Sequence, residues 1–250
     1  MTHIDMHVFY QQVFELIDTL EKQEMDHLIE ASRLCAEAIK NDGVVHIFGS
    51  GHSVGFGAEA TGRPGSLVPF HMIETSDFVL KGLTTLEDFK NPDNIFERRP
   101  GVADKLYGLY DVRSQDVFIV ISNSGINGVV IDRALTAKAK GHKIIIITSM
   151  AHTLAEPSRH PSGKKLYELG DVVIDNCGPK GDALIETGKI EKICSVSSIT
   201  GIYIAQSLTA EICRILLEDH EDIPLLLSDE VPGHERFNAE LLEKYKGRIN

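Results

Sequence analysis

Two uninterrupted apolar runs, Val117–Ile121 (VFIVI) and Lys143–Thr148 (KIIIIT), constrain this chain more than any other feature. Neither alternates polar with apolar residues. A strand made from either is therefore covered on both faces, which is the mark of a parallel sheet held between helices. Residues 44–48, 67–73 and 172–174 form three more short apolar runs. Helical spacing recurs between the runs, over residues 54–63, 100–110, 126–140 and 195–218. The alternation predicts an α/β fold: a doubly wound, mainly parallel five-stranded sheet flanked by helices.

A long helical segment precedes the sheet. Residues 6–41 contain neither Gly nor Pro. Phe9, Val13, Leu16, Leu20, Leu28, Cys35 and Ile39 recur at roughly helical spacing until Asn41-Asp42-Gly43 ends the pattern. One helix of that length spans about 50 Å, so it bends or packs part of its length on another subunit. The expected division is an N-terminal helical segment over 1–42, packing on the domain or a partner subunit, a ligand-binding domain over 43–218, and a C-terminal tail over 219–250. Residues 81–99 and 149–166 are expected to be long loops, and the tail after Pro224 to wrap the surface.

The formal net charge is −12 with no Lys/Arg run, which argues against nucleic acid or an anionic membrane as partner. Any anionic ligand must be held locally, by backbone amides and a few polar groups. No secretory h-region opens the chain, and no apolar run approaches the roughly 20 residues of a membrane helix. A soluble, cytoplasmic protein is expected. Cys35, Cys177, Cys194 and Cys213 form no C-x-x-C pair and read as reduced, mostly buried thiols rather than a zinc site or a disulfide framework.

In open α/β sheets, ligands bind beyond the carboxyl ends of the strands. Three of these ends are rich in small polar residues: Ser50, Gly51, His52 and Ser53 after the first strand, Ser122, Asn123, Ser124 and Gly125 after the third, and Thr148-Ser149 after the fourth. Glycine lets backbone approach a ligand, Ser and Asn supply neutral hydrogen bonds, and the helix that follows offers free N–H groups and a positive dipole end. That combination suits a phosphate monoester. A purely structural reading makes the serines helix caps, but two such loops in one predicted sheet favour a ligand site. Ser197 stands at the start of the last long helix, which can cap that helix or point it into the site. Gly49, Gly51 and Gly55 give G-x-G-x-x-x-G, one residue longer than the dinucleotide fingerprint, and no acidic residue closes a second strand. No nicotinamide or other cofactor is expected. The 158–165 stretch gathers Arg159, His160, Lys164 and Lys165 in an acidic protein. It can cover a bound anion or be a solvated loop.

With the G-x-G-x-S loop after the first strand and S-x-S-G after the VFIVI strand, the chain resembles the sugar isomerase (SIS) domain family. The resemblance covers roughly residues 25–218. The stretches FGSGHS…AEATGRPGSLVP and SRHPSGKKLYELGDVVIDNCGPKGDA resemble, more narrowly, a phosphoheptose-isomerase-like branch. The resemblance implies a small-molecule phosphosugar ligand. It puts Ser122, Asn123, Ser124 and Asn127 in the phosphate loop and Ser53 in the sugar loop. The long apolar face of the N-terminal pattern predicts a homodimer or higher homo-oligomer, and the resemblance implies active sites at subunit contacts. Glu59, in Glu59-Ala60-Thr61-Gly62-Arg63, matches the segment whose glutamate serves those isomerases as acid/base; its structural alternative is an ion pair with Arg63 four residues on. His52, within the glycine loop, can shuttle a proton or hydrogen-bond nearby backbone. Some phosphoheptose isomerases bind zinc through a histidine one turn before the glutamate. Here that position is Gly55, and Glu211 stands about where a later histidine ligand would fall, so no metal is expected. The expected activity is sugar-phosphate isomerisation between aldose and ketose. An etherase-type lyase acting on N-acetylmuramate 6-phosphate and a non-catalytic phosphosugar-sensing regulator are the alternatives.

Overall fold

The computed structural model describes residues 4–96, 99, 101–189 and 191–249. Helix α1 (Met6–Lys40) is one run of 35 residues, opened by Asp5, whose carboxylate accepts the Val8 amide. Its buried residues, among them Leu20, Leu28, Ala31, Cys35 and Ile39, recur every three or four positions and begin only at Leu20. In the first half Met6 is 89% exposed, Tyr10 61% and Phe14 64%. The chain continues through β1 (Val45–Gly49), α2 (Val54–Ala60), β2 (Phe70–Ile73), α3 (Asp77–Leu80), α4 (Leu86–Phe89), α5 (Val102–Tyr107), β3 (Val117–Ile121), α6 (Gly128–Ala139), β4 (Lys143–Thr148), α7 (Met150–Ala155), β5 (Val172–Asp175), β6 (Ala183–Glu186), β7 (Lys192–Ser195), α8 (Ser197–Glu218) and α9 (His234–Lys244).

The main sheet has five strands in the order β2-β1-β3-β4-β5, and every neighbouring pair is parallel. The apolar runs divide between two cores according to the pleat. Val45, Ile47, Val117, Ile119, Ile121, Ile145, Ile147, Val172 and Ile174 face a layer formed by α1, α2 and α8. Phe48, Phe118, Val120, Ile144 and Ile146 face the opposite layer, which contains α5 and α6. This two-sided cover explains why the strands carry no polar alternation.

Several local expectations are revised. Only the second half of the 67–73 run enters the sheet. Leu67 instead forms an antiparallel bridge with Leu225, and the Val68 amide bonds to the Pro224 carbonyl. The expected loops begin with short helices or contain them: α4 lies within 81–99, and α7 starts at Met150. The antiparallel hairpin of β6 and β7 has no precursor in the apolar pattern, because β7 is exposed throughout and only Ile185 of β6 is buried. The tail ends in helix α9, after which Tyr245 and Arg248 are buried, at 1% and 3% exposure. No described helix is long and apolar enough to cross a membrane.

Candidate functional site

The strand order reverses direction between β1 and β3. The chain leaves β1 for β2 on one side and returns to β3 on the other, so a crevice opens at their carboxyl ends, the usual ligand position in such sheets. Gly49 is in register with Ile121. The 50–53 and 122–127 loops therefore lie side by side.

The first loop turns sharply. Gly51 has φ +60° and residues 51–53 form a single 3-10 turn into α2. Gly49 must lack a side chain, since a Cβ would stand 2.6 Å from the Ser53 carbonyl oxygen. The second loop is held from beneath. The Ser122 hydroxyl accepts the Gly125 amide at 3.2 Å, and Thr153 donates its hydroxyl to the Ser124 carbonyl at 2.7 Å. Gly125, at φ +62°, sits where a Cβ would be 2.5 Å from Thr153 Oγ1 and 2.7 Å from Thr148 Oγ1. The loop ends at Asn127, the N-cap of α6, whose side chain makes no capping bond. Its amide instead meets Ser124 Oγ at 3.5 Å. The first turn of this 12-residue helix therefore presents amides that no side-chain cap satisfies.

The start of α8 differs. The Asp182 carboxylate accepts the Val196 and Ser197 amides at 3.2 and 2.8 Å and the Ser197 hydroxyl at 2.8 Å. Of the two long helices that start near the crevice, one already carries a carboxylate at its N-terminus and the other does not. Asn176 links the second loop to the end of β5. Its Nδ2 donates to Asn123 Oδ1 at 2.9 Å, and its own Oδ1 accepts the Gly178 amide at 2.9 Å.

His52, Ser53, Phe56, Ile121, Asn123, Asn176, Ser197 and Ser198 line one narrow pocket at the crevice. Outside it, a cleft of about 820 Å³ is bordered by Ser50, Asn127, Gly128, Asp132, Arg159 and His160. Most of the residues singled out in the sequence thus come together, on either side of the 122–127 loop. Two stand apart. Ser149 is fully buried, its hydroxyl donating to the Gly178 carbonyl at 2.6 Å and accepting the His152 amide at 3.1 Å. It caps α7 and supports the loops rather than facing the crevice. Glu59 lines a separate cavity of about 340 Å³ with Arg63, Ser66, Gln206 and Thr209. Arg63 donates to its Oε1 at 2.5 Å and Gln206 at 2.6 Å. The i,i+4 pair anticipated from the sequence is present.

Among the described residues, no group of three or more His, Cys, Asp or Glu side chains is placed to hold a metal ion. Gly55, where the zinc-binding isomerases would need a ligand, has open space beside it, and Glu211 is paired with Arg214 at 2.6 Å. These residues do not fit a zinc site of that kind. The four cysteines are free, but only Cys35 is buried; Cys177 and Cys213 are half-buried and Cys194 is exposed on β7, against the expectation of mostly buried thiols.

A doubly wound sheet in the 2-1-3-4-5 order, with Ser/Gly loops meeting at its switch point, defines a small-ligand-binding α/β protein. Residues 8–149 match the SIS domain, and the chain belongs to the SIS-domain family. It is 36% identical over 242 residues to a UPF0309 protein of Geobacillus sp. (strain WCH70), covering 96% of each chain. It is 37% identical over 235 residues to a UPF0309 protein of Listeria innocua, covering 94% of this chain and 93% of that one. Its fold is similar to that of phosphoheptose isomerase from Neisseria gonorrhoeae, with a TM-score of 0.53 and 19% identity over 83% of this chain and 96% of that one. At that identity the likeness concerns the fold.

Proposed function

We propose that the chain binds a phosphosugar and interconverts its aldose and ketose forms, with the phosphate on the 122–127 loop and Glu59 as acid/base. The observation that carries the reading is the uncapped start of α6 beside a loop of Ser and Asn side chains. Its amides and dipole favour a dianion although the cradle is neutral. The sugar extends from there past Ser50, Gly51, His52 and Ser53 towards Asn123 and Ser197. Isomerisation moves a proton between adjacent carbons through an enediol. Glu59 lies on α2, one turn beyond Phe56 of the crevice pocket, and Gln206 lies on α8, which also supplies Ser197 and Ser198. The carboxylate therefore stands further along the same α2–α8 seam, where Arg63 and Gln206 both donate to its Oε1. His52, inside the crevice pocket, is the second candidate for moving the proton.

A specific observation favours a second reading. Glu59 is engaged by Arg63 and Gln206 in a cavity that shares no lining residue with the crevice pocket. A phosphosugar sensor needs the two polar loops but not Glu59. Turnover of a phosphosugar panel followed by product NMR separates the two, and also distinguishes an isomerase from an ether-cleaving lyase. Glu59→Gln is expected to keep binding while turnover falls by roughly 10² to 10⁴, the range for a lost general base. Full turnover in the variant would move the role to His52, and binding without turnover in the wild type would establish the sensor.

We further propose that the protein is a homo-oligomer, a dimer at least. Met6, Tyr10 and Phe14 recur every four residues on α1 and remain mostly exposed, and contiguous apolar surface of this kind marks interfaces. Light scattering that gives a monomer at micromolar concentration would overturn this.

A further inference from the structure

Two described carboxylates around the start of α6, Asp132 and Glu156, already have side-chain partners other than Arg159. Asp132, on the second turn of α6, pairs with His160 Nε2 at 2.8 Å. Glu156, whose carboxyl is held down first by Lys180 and only lastly by Arg159, makes its ion pair with Lys180 at 2.8 Å. Arg159 lies between Glu156 and His160 in sequence and forms no ion pair with any described carboxylate. Its Nη1 donates to the neutral Oδ1 of Asn127, the α6 N-cap, at 3.2 Å.

The segment that carries Arg159 is tied to the 122–127 loop. The Arg159 amide donates to the Ile126 carbonyl at 3.0 Å, and the Leu166 amide to the Gly125 carbonyl at 2.8 Å. His160 is fixed through both ring nitrogens, by Asp132 and by Ser162 Oγ at 2.7 Å. Both Arg159 and Asn127 border the outer cleft. A guanidinium presents several donors in a planar fork suited to phosphate oxygens, and Asn127 uses one of them. Arg159 is solvent-exposed at the cleft, and its guanidinium stands beside the uncapped start of α6 with donors free to meet an anion there.

We infer that Arg159 is the cationic element of the phosphate subsite, held in position by Asn127 and turned onto a phosphate bound at the α6 N-terminus. The inference rests on the phosphate reading proposed above. It makes Arg159 a specificity-determining residue that favours a dianionic phosphate ester over a neutral sugar, alongside the amides of the loop. The 158–165 stretch then acts as the outer wall of the site.

The test is a titration of the full chain with inorganic phosphate, followed through the amide NMR shifts of Gly125 and Gly128. In the wild type both amides shift. Arg159→Gln is expected to weaken binding about tenfold or more, the scale of a lost charge-assisted hydrogen bond. It should also make binding less sensitive to salt. Arg159→Lys, which keeps the charge but not the fork, should recover part of the loss. Unchanged amide shifts elsewhere in the spectrum verify that each variant is folded. If Arg159→Gln binds as tightly as the wild type while Ser124→Ala binds more weakly, the loop is the phosphate site and Arg159 is not part of it. If phosphate leaves the wild-type Gly125 and Gly128 amides unmoved, the phosphate reading fails and this inference fails with it.

Discussion

The two ends of the sheet handle buried polar groups in opposite ways. At the amino ends of the strands, charged side chains are gathered around one buried carboxylate. Asp116 accepts the Val44 amide at 2.8 Å, the Arg113 amide at 2.7 Å and Arg248 Nη2 at 2.6 Å, and meets His46 Nε2 at 3.2 Å. His46 in turn meets His71, Nδ1 to Nδ1, at 2.9 Å. Arg248 also donates to the carbonyls of Asp42 and Asp111, so the end of the chain closes over this network. In the loops after β3 and β4, at the carboxyl ends, the side chains are mostly neutral and half-matched. Ser122, Thr148, Thr153, Ser149 and Asn176 hold the loops in place, whereas Ser124 and the α6 start keep unused capacity. A polar cluster that satisfies itself is architecture. One that leaves hydrogen-bonding capacity at an accessible crevice is where a ligand belongs.

The largest expected effect breaks the closed end. Asp116→Ala would leave Arg248, His46 and two amides without their acceptor inside the protein. Removing one partner of a buried ion pair costs roughly 3 to 5 kcal/mol, so urea unfolding should show a loss of that order. The folded variant should still bind phosphosugar as the wild type does, because the network does not reach the crevice. A loss below about 1 kcal/mol would mean that water replaces the carboxylate there.

The same end should respond to acid. Burial, and then the neighbouring His46, pulls His71 down to about 3, and burial likewise lowers His46 against the opposing pull of Asp116. Both histidines are therefore neutral in the folded protein below the pH at which the unfolded chain protonates them. Their contribution is whole above about 6.5 and is lost as pH falls through the window towards the folded value. At pH 4.5, two units below the free value, the unfavourable linkage amounts to roughly 2 to 3 kcal/mol for one such histidine. Burial would raise the Asp116 carboxyl, but the bonds from His46, Arg248 and the Arg113 and Val44 amides outweigh it and hold it at about 2. Asp116 thus adds a second loss only below about pH 4. Unfolding free energies measured from pH 7.5 to 4.5 should fall, and His71→Gln should flatten the slope. An equal slope in both proteins would place the titrating groups elsewhere.

Much of the open end is legible in the amino-acid sequence, and the closed end is not. The parallel sheet follows from runs such as Val117–Ile121 because cover on both faces removes polar residues from the pattern. The loops at the switch point follow from clustered Ser, Asn and Gly. What local sequence does not carry is which hydroxyl is already in use. Ser124 and Ser149 are the same residue type at the same kind of strand end, yet a carbonyl 29 residues away occupies Ser149. The Glu59–Arg63 spacing is compatible with both an ion pair and a catalytic base, and the pair is what forms. Arg248 and Asp116 are 132 positions apart, so nothing in either neighbourhood announces the bond. The β6–β7 hairpin escapes for a different reason, since nearly all of it lies at the surface and leaves no apolar signature.

The smallest expected effect is the sharpest test of the comparison, because it asks whether unused capacity at the open end belongs to a ligand. Ser124 is only partly buried, and its hydroxyl meets nothing among the described residues beyond Asn127 Nδ2 at the 3.5 Å limit. Its carbonyl, not its side chain, anchors the loop to Thr153. Ser124→Ala should therefore leave stability within about 0.5 kcal/mol of wild type, as for substitutions that break no buried partner. Binding should change more. A hydroxyl donating to a phosphate oxygen contributes roughly 1 to 2 kcal/mol, so calorimetry with a phosphosugar found by thermal-shift screening should show affinity reduced by about five- to thirtyfold. The unphosphorylated sugar should bind poorly to both proteins. Ser149→Ala should show the reverse pattern, with stability reduced by about 0.5 to 2 kcal/mol through the lost α7 cap. If Ser124→Ala lowers stability as much as Ser149→Ala does and leaves affinity untouched, the 122–127 loop is as self-contained as the network around Asp116, and the contrast between the two ends of the sheet disappears.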